Sequence, residues 1–220
     1  INLAGTNLDD LYRGAVIAAP NWVISTKKLI AHVTLIEDTR WKLKNRQRIH
    51  LHIGTTEVVA RAVMQKPLEA GQSGNVLFLL EKPIAALMDE RFIIRSLSPM
   101  ETMGGCVVLD SNPIPIQKEL KLWTATLKEN PSERFIQFVS QNWKSPQSLG
   151  NWSRHFQTTE SQVKKWIKSE EIKNEKGFLF TSGKQDKSME YIREVLSQFH
   201  EENPYKKSLS QERLKNTTHF

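Results

Sequence analysis

An antiparallel β-barrel followed by a helical α+β unit is what this sequence predicts, and three observations carry the prediction. From Lys28 to Asp110 apolar residues recur with period two in about six short runs, the pattern of strands with one buried face. At residues 111–116, SNPIPI, two prolines break that pattern, because proline lacks a ladder donor and restricts the residue before it. Past the prolines the apolar residues fall three and four apart, which is helical spacing.

Taken in order, residues 1–20 read as an apolar start, a polar turn over Thr6–Asp10, and a second apolar run at Ala15–Ala19. A two-stranded tail cannot bury both faces alone. Together with the start on Ile1 in mid-strand, this predicts the end of a preceding β-barrel domain in a longer protein. The barrel proper is expected over 21–112. In LIAHVTLI, Leu29, Ala31, Val33 and Leu35 share one face; in RIHLHI, Ile49, Leu51 and Ile53 face one way and Arg48, His50 and His52 the other. Strands are expected at Glu57–Met64, Asn75–Leu80, Phe92–Ile94 and Cys106–Leu109, with turns at Gly54–Thr56, at Gly71 and Gly74, and at Asp89–Glu90.

A second domain is expected over 113–187. Glu119–Lys128 is ambiguous, whereas Ser132–Gln141 places Phe135, Phe138 and Val139 on one helical face. Ser148–Phe156 follows with Leu149, Trp152 and Phe156. In TTESQ, Thr158 and Thr159 precede Gln162 by four and three residues, a capping box that opens a helix over Thr158–Ser169. Glu171–Thr181 reads as two brief strands about a turn at Asn174–Gly177. Helix, helix, capped helix and hairpin is the order of a winged-helix domain. Residues 188–220 are expected to hold a linker helix, Ser188–Glu202, with Met189, Ile192, Leu196 and Phe199 on a face, and then the start of a second, incomplete winged helix near Ser208–Leu214.

The formal charge is +7 and the pI about 9.5, which suits a polyanionic partner. The excess is uneven: 13 basic residues meet 11 acidic in 1–110, and 18 meet 13 in 111–220. Cys106 is the single cysteine, so no internal disulfide forms and a reducing, cytoplasmic setting is expected. Nothing approaches a run of about 18 apolar residues, and no basic n-region opens the chain, so neither a membrane span nor a signal peptide is expected.

The runs INLAG…RGAVIAAP, RIHLHIGTTEVVARAV, AGQSGNVLFLLEKPI and DERFIIRSLSPMETMGG, in that order and spacing, resemble the bacterial selenocysteine-specific translation elongation factor (SelB) family. FHEENPYKKSLSQERLK is similar to that family's next winged helix. The resemblance implies an elongation-factor-Tu third-domain-like barrel and winged-helix modules. It also implies a role in selenocysteine incorporation, with selenocysteine tRNA, the ribosome and an mRNA hairpin as partners, the hairpin being held by modules beyond those seen here. The family's GTPase activity, with GTP and Mg, belongs to a domain whose GxxxxGK[ST] loop this sequence lacks. No cofactor is therefore expected in this segment, and no enzyme activity. Cys106 stands where a third glycine would follow Gly104 and Gly105.

In relatives of that family the third barrel grips the T-stem backbone of aminoacyl-tRNA, and A-form RNA is read through shape and backbone. The resemblance implies tRNA-binding roles for Arg48 and Arg95 as charges, Thr55, Thr56, Ser96 and Thr102 as polar turn residues, and Gly104 and Gly105 as sites of close approach. Tight-turn geometry alone accounts for the same glycines and threonines equally well. Arg154, Lys164, Lys165, Lys168 and Lys176 are candidates for a nucleic-acid-facing winged-helix surface, diluted by Glu160, Glu170 and Glu171. A solvated charged face is the alternative.

His50 and His52, with His32 on another strand, share alternate-residue spacing, but no acidic or cysteine ligand accompanies them. One strand supplies two of the three or four ligands required, so no metal is expected. Trp143, Trp152 and Trp166 follow the apolar faces and read as core. Cys106, between apolar residues and without an adjacent base, reads as a small buried hydrophobe, and no catalytic set is apparent. A DNA-binding regulator with a barrel for assembly and a winged helix for the major groove is the competing reading.

Overall fold

The computed structural model describes residues 13–113, 117–167 and 171–218. Of the hairpin expected over residues 1–20, residues 1–12 lie outside the described residues, as do the IPI segment at 114–116, Lys168 and Glu170; its second strand, expected at Ala15–Ala19, is instead an exposed irregular segment with no strand pairing. The chain divides into two compact units, 1–129 and 130–220.

The first unit is a closed six-stranded antiparallel barrel in the order β1-β4-β3-β2-β5-β6. Its strands are β1 (Ser25–Leu35), β2 (Arg48–Ile53), β3 (Thr56–Val63), β4 (Ser73–Ala85), β5 (Arg91–Arg95) and β6 (Thr102–Asp110). Period-two faces set the interior. Leu29, Ala31, Val33 and Leu35 of β1 and Ile49, Leu51 and Ile53 of β2 lie in one buried core with Phe78, Phe92, Ile94, Met103 and Cys106. Closure comes from the pairing of β6 with β1, from Ile30 opposite Asp110 to Leu35 opposite Gly104, and it leaves no exposed sheet edge.

Gly104 is demanded by that closure. A Cβ on Gly104 would lie 2.4 Å from the Thr34 carbonyl oxygen and 3.1 Å from Leu35 Cα, so β1 and β6 approach at a separation only glycine permits. β4 runs well past the expected Asn75–Leu80. It continues through Pro83 because the β1 partner slips there, Thr26 pairing with Ile84 but Lys28 with Leu79. An irregularity of this kind is where a strand tolerates a proline.

The ambiguous stretch after the prolines is helix α1 (Gln117–Thr126), and it falls in the barrel's unit. Leu120, Trp123 and Leu127 are buried. The Trp123 indole Nε1 donates to Asp110 Oδ2 at 3.0 Å, and Asn75 Nδ2 donates to the Leu127 carbonyl at 2.8 Å. The division after Glu129 therefore differs from a boundary at 112/113 by this one helix, which anchors polar ends on β4 and β6.

The second unit is winged-helix-like. Helices α2 (Pro131–Gln141), α3 (Leu149–His155) and α4 (Glu160–Trp166) precede the hairpin β7 (Ile172–Glu175) and β8 (Phe178–Thr181). Asn130 caps α2 by accepting from the Ser132 and Glu133 amides, with Pro131 at the first helical position, where its missing amide costs nothing. Thr159, rather than Thr158, caps α4 by accepting from the Gln162 amide at 3.2 Å. Phe135 and Phe138 pack edge-on against Trp152 and Phe156, and Trp166 lies 5.5 Å from Phe135. Trp152 and Trp166 are thus part of the core, as their spacing predicts, while Trp143 is half-buried and meets Tyr191 edge-on. The hairpin turns at Lys176 and Gly177, with φ of 50° and 88°, the left-handed pair of a type I′ turn.

Helix α5 (Ser182–Glu202) starts six residues before the expected Ser188, directly from β8. A boundary at 187/188 thus falls inside a helix. Ile192, Leu196 and Phe199 are half-buried and Met189 is exposed. Helix α6 (Gln211–Thr218) follows. No helix among the described residues is long and apolar enough to cross a membrane.

Candidate nucleic-acid interface

The outward residues of the barrel are set by strand register. In β2 and β3 the Gly54-Thr55 turn, with Gly54 at φ 53°, fixes Ile53 opposite Thr56 and hence His52 opposite Glu57, as a two-residue hairpin with glycine in first place does. β2 pairs in turn with β5, His52 facing Ile93 and His50 facing Arg95. β5 pairs with β6, Ile93 facing Gly105 and Arg95 facing Thr102, and Gly105 faces Thr34 of β1. One row, Glu57–His52–Ile93–Gly105–Thr34, crosses five strands on the outer surface. Ile93 is 43% exposed and nothing lies within 4 Å of where a Gly105 Cβ would be. The missing side chain opens a shallow groove lined by His32, Thr34, Arg91, Ile93, Gly105 and Val107.

The expected site residues distribute over this surface and behind it. Arg48 is exposed and its Nη2 lies 2.6 Å from Glu81 Oε1. Arg95 is half-buried on the outer face and donates from Nη2 to the Met100 carbonyl at 3.0 Å. Thr102 and Gly105 are exposed. Two of the candidates point away from any partner. Ser96 is buried, and its hydroxyl is engaged inside the Ser96–Glu101 loop, donating to Pro99 O at 2.5 Å and accepting from the Glu101 amide at 3.0 Å. Gly104 is buried in the ladder between Leu35 and Ile94. Cys106 faces the interior, so the side chain that replaces a glycine does not obstruct the outer face, and burial pushes its thiol pKa far up.

The two turns named from sequence do not meet. Since β2 and β5 are antiparallel with His50 facing Arg95, the Gly54-Thr55 turn and the Ser96–Glu101 loop lie at opposite ends of the ladder, about 17 Å apart at 3.3–3.4 Å per residue. Between them runs the His50, His52, Arg95 face. At the first turn, Arg13 Nε donates to Thr55 O at 3.3 Å and Thr56 Oγ1 donates to Gly14 O at 3.4 Å, so this turn seats the segment that enters the barrel. At the other end, Glu101 accepts from Trp41 Nε1 at 2.7 Å and from Arg40 Nε at 2.9 Å. These donors, the indole first, hold its carboxyl below the usual range.

Glu57 was not legible as a partner of the histidines from their own strand. His50 Nδ1 lies 2.8 Å from Glu57 Oε1 and His52 Nδ1 lies 4.0 Å from Glu57 Oε2. The absence of an acidic group beside His50 and His52 is thereby corrected: it stands across the hairpin, and the two-residue turn was the signal that could have placed it. His32 sits apart on β1, bonded to Asn75 at 3.0 Å. Burial, partly offset by Glu57 and reinforced by Arg95, lowers the His52 pKa.

On the second unit, Lys164 and Lys165 are exposed in the last turn of α4, and Arg154 and Lys176 are exposed on α3 and the hairpin turn. Arg154 is tied to its own helix, Nη2 donating to Asn151 Oδ1 at 2.5 Å. Glu160 is exposed in the first turn of α4, so the lysines do not stand alone on that helix.

Residues 26–114 match the family model of the selenocysteine-specific elongation factor, beta-barrel domain. A selenocysteine-specific elongation factor from Desulfomicrobium baculatum is 28% identical over 116 residues, covering 52% of this chain and 18% of that protein. The crystal structure of bacterial selenocysteine-specific elongation factor EF-Sec aligns with a TM-score of 0.70 at 17% identity, covering 100% of this chain and 34% of that one; this likeness is one of fold. The chain spans about a fifth of the curated relative and a third of the solved one. By these matches the barrel is similar to the β-barrel domain of selenocysteine-specific elongation factors, and the chain that carries it is SelB-like.

Proposed function

We propose that this chain is the tRNA-holding and connecting part of a factor that delivers selenocysteinyl-tRNA to the ribosome. The match of residues 26–114 to the SelB barrel carries the reading. In it, the outer face of β2, β5 and β6 lies along an RNA helix. Arg48 and Arg95 neutralise phosphates, Thr102 contributes a hydroxyl, and the side-chain-free Gly105 admits the ribose-phosphate backbone. A-form RNA is recognised through backbone and 2′-hydroxyls rather than base edges, so a face with two cations, hydroxyls and a gap has the chemistry required. The winged-helix-like unit, with Arg154, Lys164, Lys165 and Lys176 outward, connects towards modules that hold an mRNA hairpin. GTP and Mg act on a domain outside these 220 residues, and this chain performs positioning rather than chemistry.

Filter binding with selenocysteinyl-tRNA, an unrelated RNA hairpin and duplex DNA tests it. The tRNA should be retained best, with an affinity that falls as salt rises, and Arg48→Ala and Arg95→Ala should each lower the log–log salt slope by about 0.7–1. Equal retention of the unrelated hairpin, or no binding at low salt, refutes the reading. Tighter retention of duplex DNA would favour a DNA-binding regulator.

A further inference from the structure

We propose that His50, His52 and Glu57 form a binding site for a zinc-class divalent metal ion on the outer face of the barrel. Each of the three side chains offers one ligand atom, and those atoms all lie within 4.8 Å of one another. Alternation along β2 puts both imidazoles on one face, and the hairpin register sets Glu57 directly across from His52. The carboxylate bridges the pair, one oxygen 2.8 Å from His50 Nδ1 and the other 4.0 Å from His52 Nδ1.

A tetrahedral zinc ion with bonds of about 2.0–2.1 Å needs its ligand atoms roughly 3.3–3.4 Å apart. The two nitrogen–oxygen separations lie on either side of that value, each to a different Glu57 oxygen, and the whole set falls within 4.8 Å. Closing the set from a spacing of up to 4.8 Å requires shifts of up to roughly 1.5 Å, to which a Glu57 side chain that is 49% exposed can contribute. The imidazoles are more enclosed, 18% and 23% exposed, so the strands hold them in place while the carboxylate adjusts.

Hydrogen bonds within the cluster do not already satisfy these atoms. His50 Nδ1, although near the carboxylate, has no hydrogen-bond partner, and His52 Nδ1 lies 4.0 Å from Glu57 Oε2, beyond hydrogen-bond reach. Two imidazoles and one carboxylate are a borderline donor set that suits zinc and excludes the all-oxygen preference of calcium and magnesium. Three protein ligands leave a fourth position for water or an incoming oxygen ligand. Arg95 is the opposing charge, since it faces His50 from β5; its Nη2 is committed to the Met100 carbonyl. It weakens the site without occupying it. The site shares the outer face of β2 with the RNA reading but does not rest on it, and its test contains no RNA.

The test uses the purified chain stripped with a chelator, then titrated with zinc against a chromogenic competitor and, separately, with cobalt(II). One zinc per chain and a tetrahedral cobalt spectrum are expected. His52→Ala and Glu57→Gln should each weaken zinc by at least about tenfold, Arg95→Ala should tighten it, and His32→Ala should leave it unchanged. Unfolding midpoints of the metal-free variants establish that each is folded. No zinc uptake, an octahedral cobalt spectrum, or full stoichiometry in the His50→Ala/His52→Ala double variant would overturn the site.

Discussion

Lowering the pH should destabilise the winged-helix-like unit through one residue. His155 lies with its ring 5.0 Å from Phe138, 5.7 Å from Trp152 and 5.4 Å from Phe156, and its Nε2 is buried without a hydrogen-bond partner. Burial lowers its pKa from 6.5 to about 4, because charging an imidazole among aromatic rings forfeits its hydration. Between the two values the unfolded state binds more protons than the folded one. Stability is therefore undiminished above pH 6.5, falls as pH drops through that window, and levels off below pH 4. The loss works out at about 2 kcal/mol by pH 5 and about 3 kcal/mol at pH 4, a large part of what one small domain possesses. The assay is urea unfolding followed by circular dichroism at pH 7, 6, 5 and 4, with His155→Phe as the variant that cannot titrate. The difference between the two proteins should trace this curve. A difference flat to within about 0.5 kcal/mol would refute the reasoning, and would mean that the rings hold the imidazolium through their π-faces.

Gly104→Ala should destabilise the barrel by about 1–3 kcal/mol, read as a lower urea midpoint, because the new Cβ meets the Thr34 carbonyl oxygen. Gly105→Leu enters open space and should leave stability within about 0.5 kcal/mol, yet it should weaken selenocysteinyl-tRNA in filter binding if the RNA lies along this face. Asn130→Ala removes the acceptor for the Ser132 and Glu133 amides and should cost the second unit about 1 kcal/mol, measured in the same unfolding experiment.

The barrel was legible because burial on one face imposes period two on every strand, and Leu29 through Leu35 and Ile49 through Ile53 obey it. The helices of the second unit were legible for the matching reason, their caps at Ser148 and Thr159 lying within a residue or two of the expected starts. Helix α1 was not, since Leu120, Trp123 and Leu127 bury their side chains in a short segment whose polar anchors, Asp110 and Asn75, stand far away in sequence. Nor was Gly104 distinguishable from Gly105. Adjacent glycines in a strand look alike until the pleat assigns one to a crowded strand crossing and the other to the open surface.

Local and non-local pairing also divide the candidate site. A two-residue turn makes His52 and Glu57 neighbours through local geometry alone, so their meeting follows from six consecutive residues. The continuation of that row to Ile93, Gly105 and Thr34 depends on β2 lying beside β5, a pairing that skips β3 and β4. The expected site residues near Gly54 and near Ser96 belong to opposite ends of this ladder, and an RNA helix in contact with both must lie along the strands between them. Such a path puts His50, His52 and Arg95 beneath the backbone. The groove left by Gly105 is one strand away, where a ribose-phosphate chain displaced sideways from the ladder would descend.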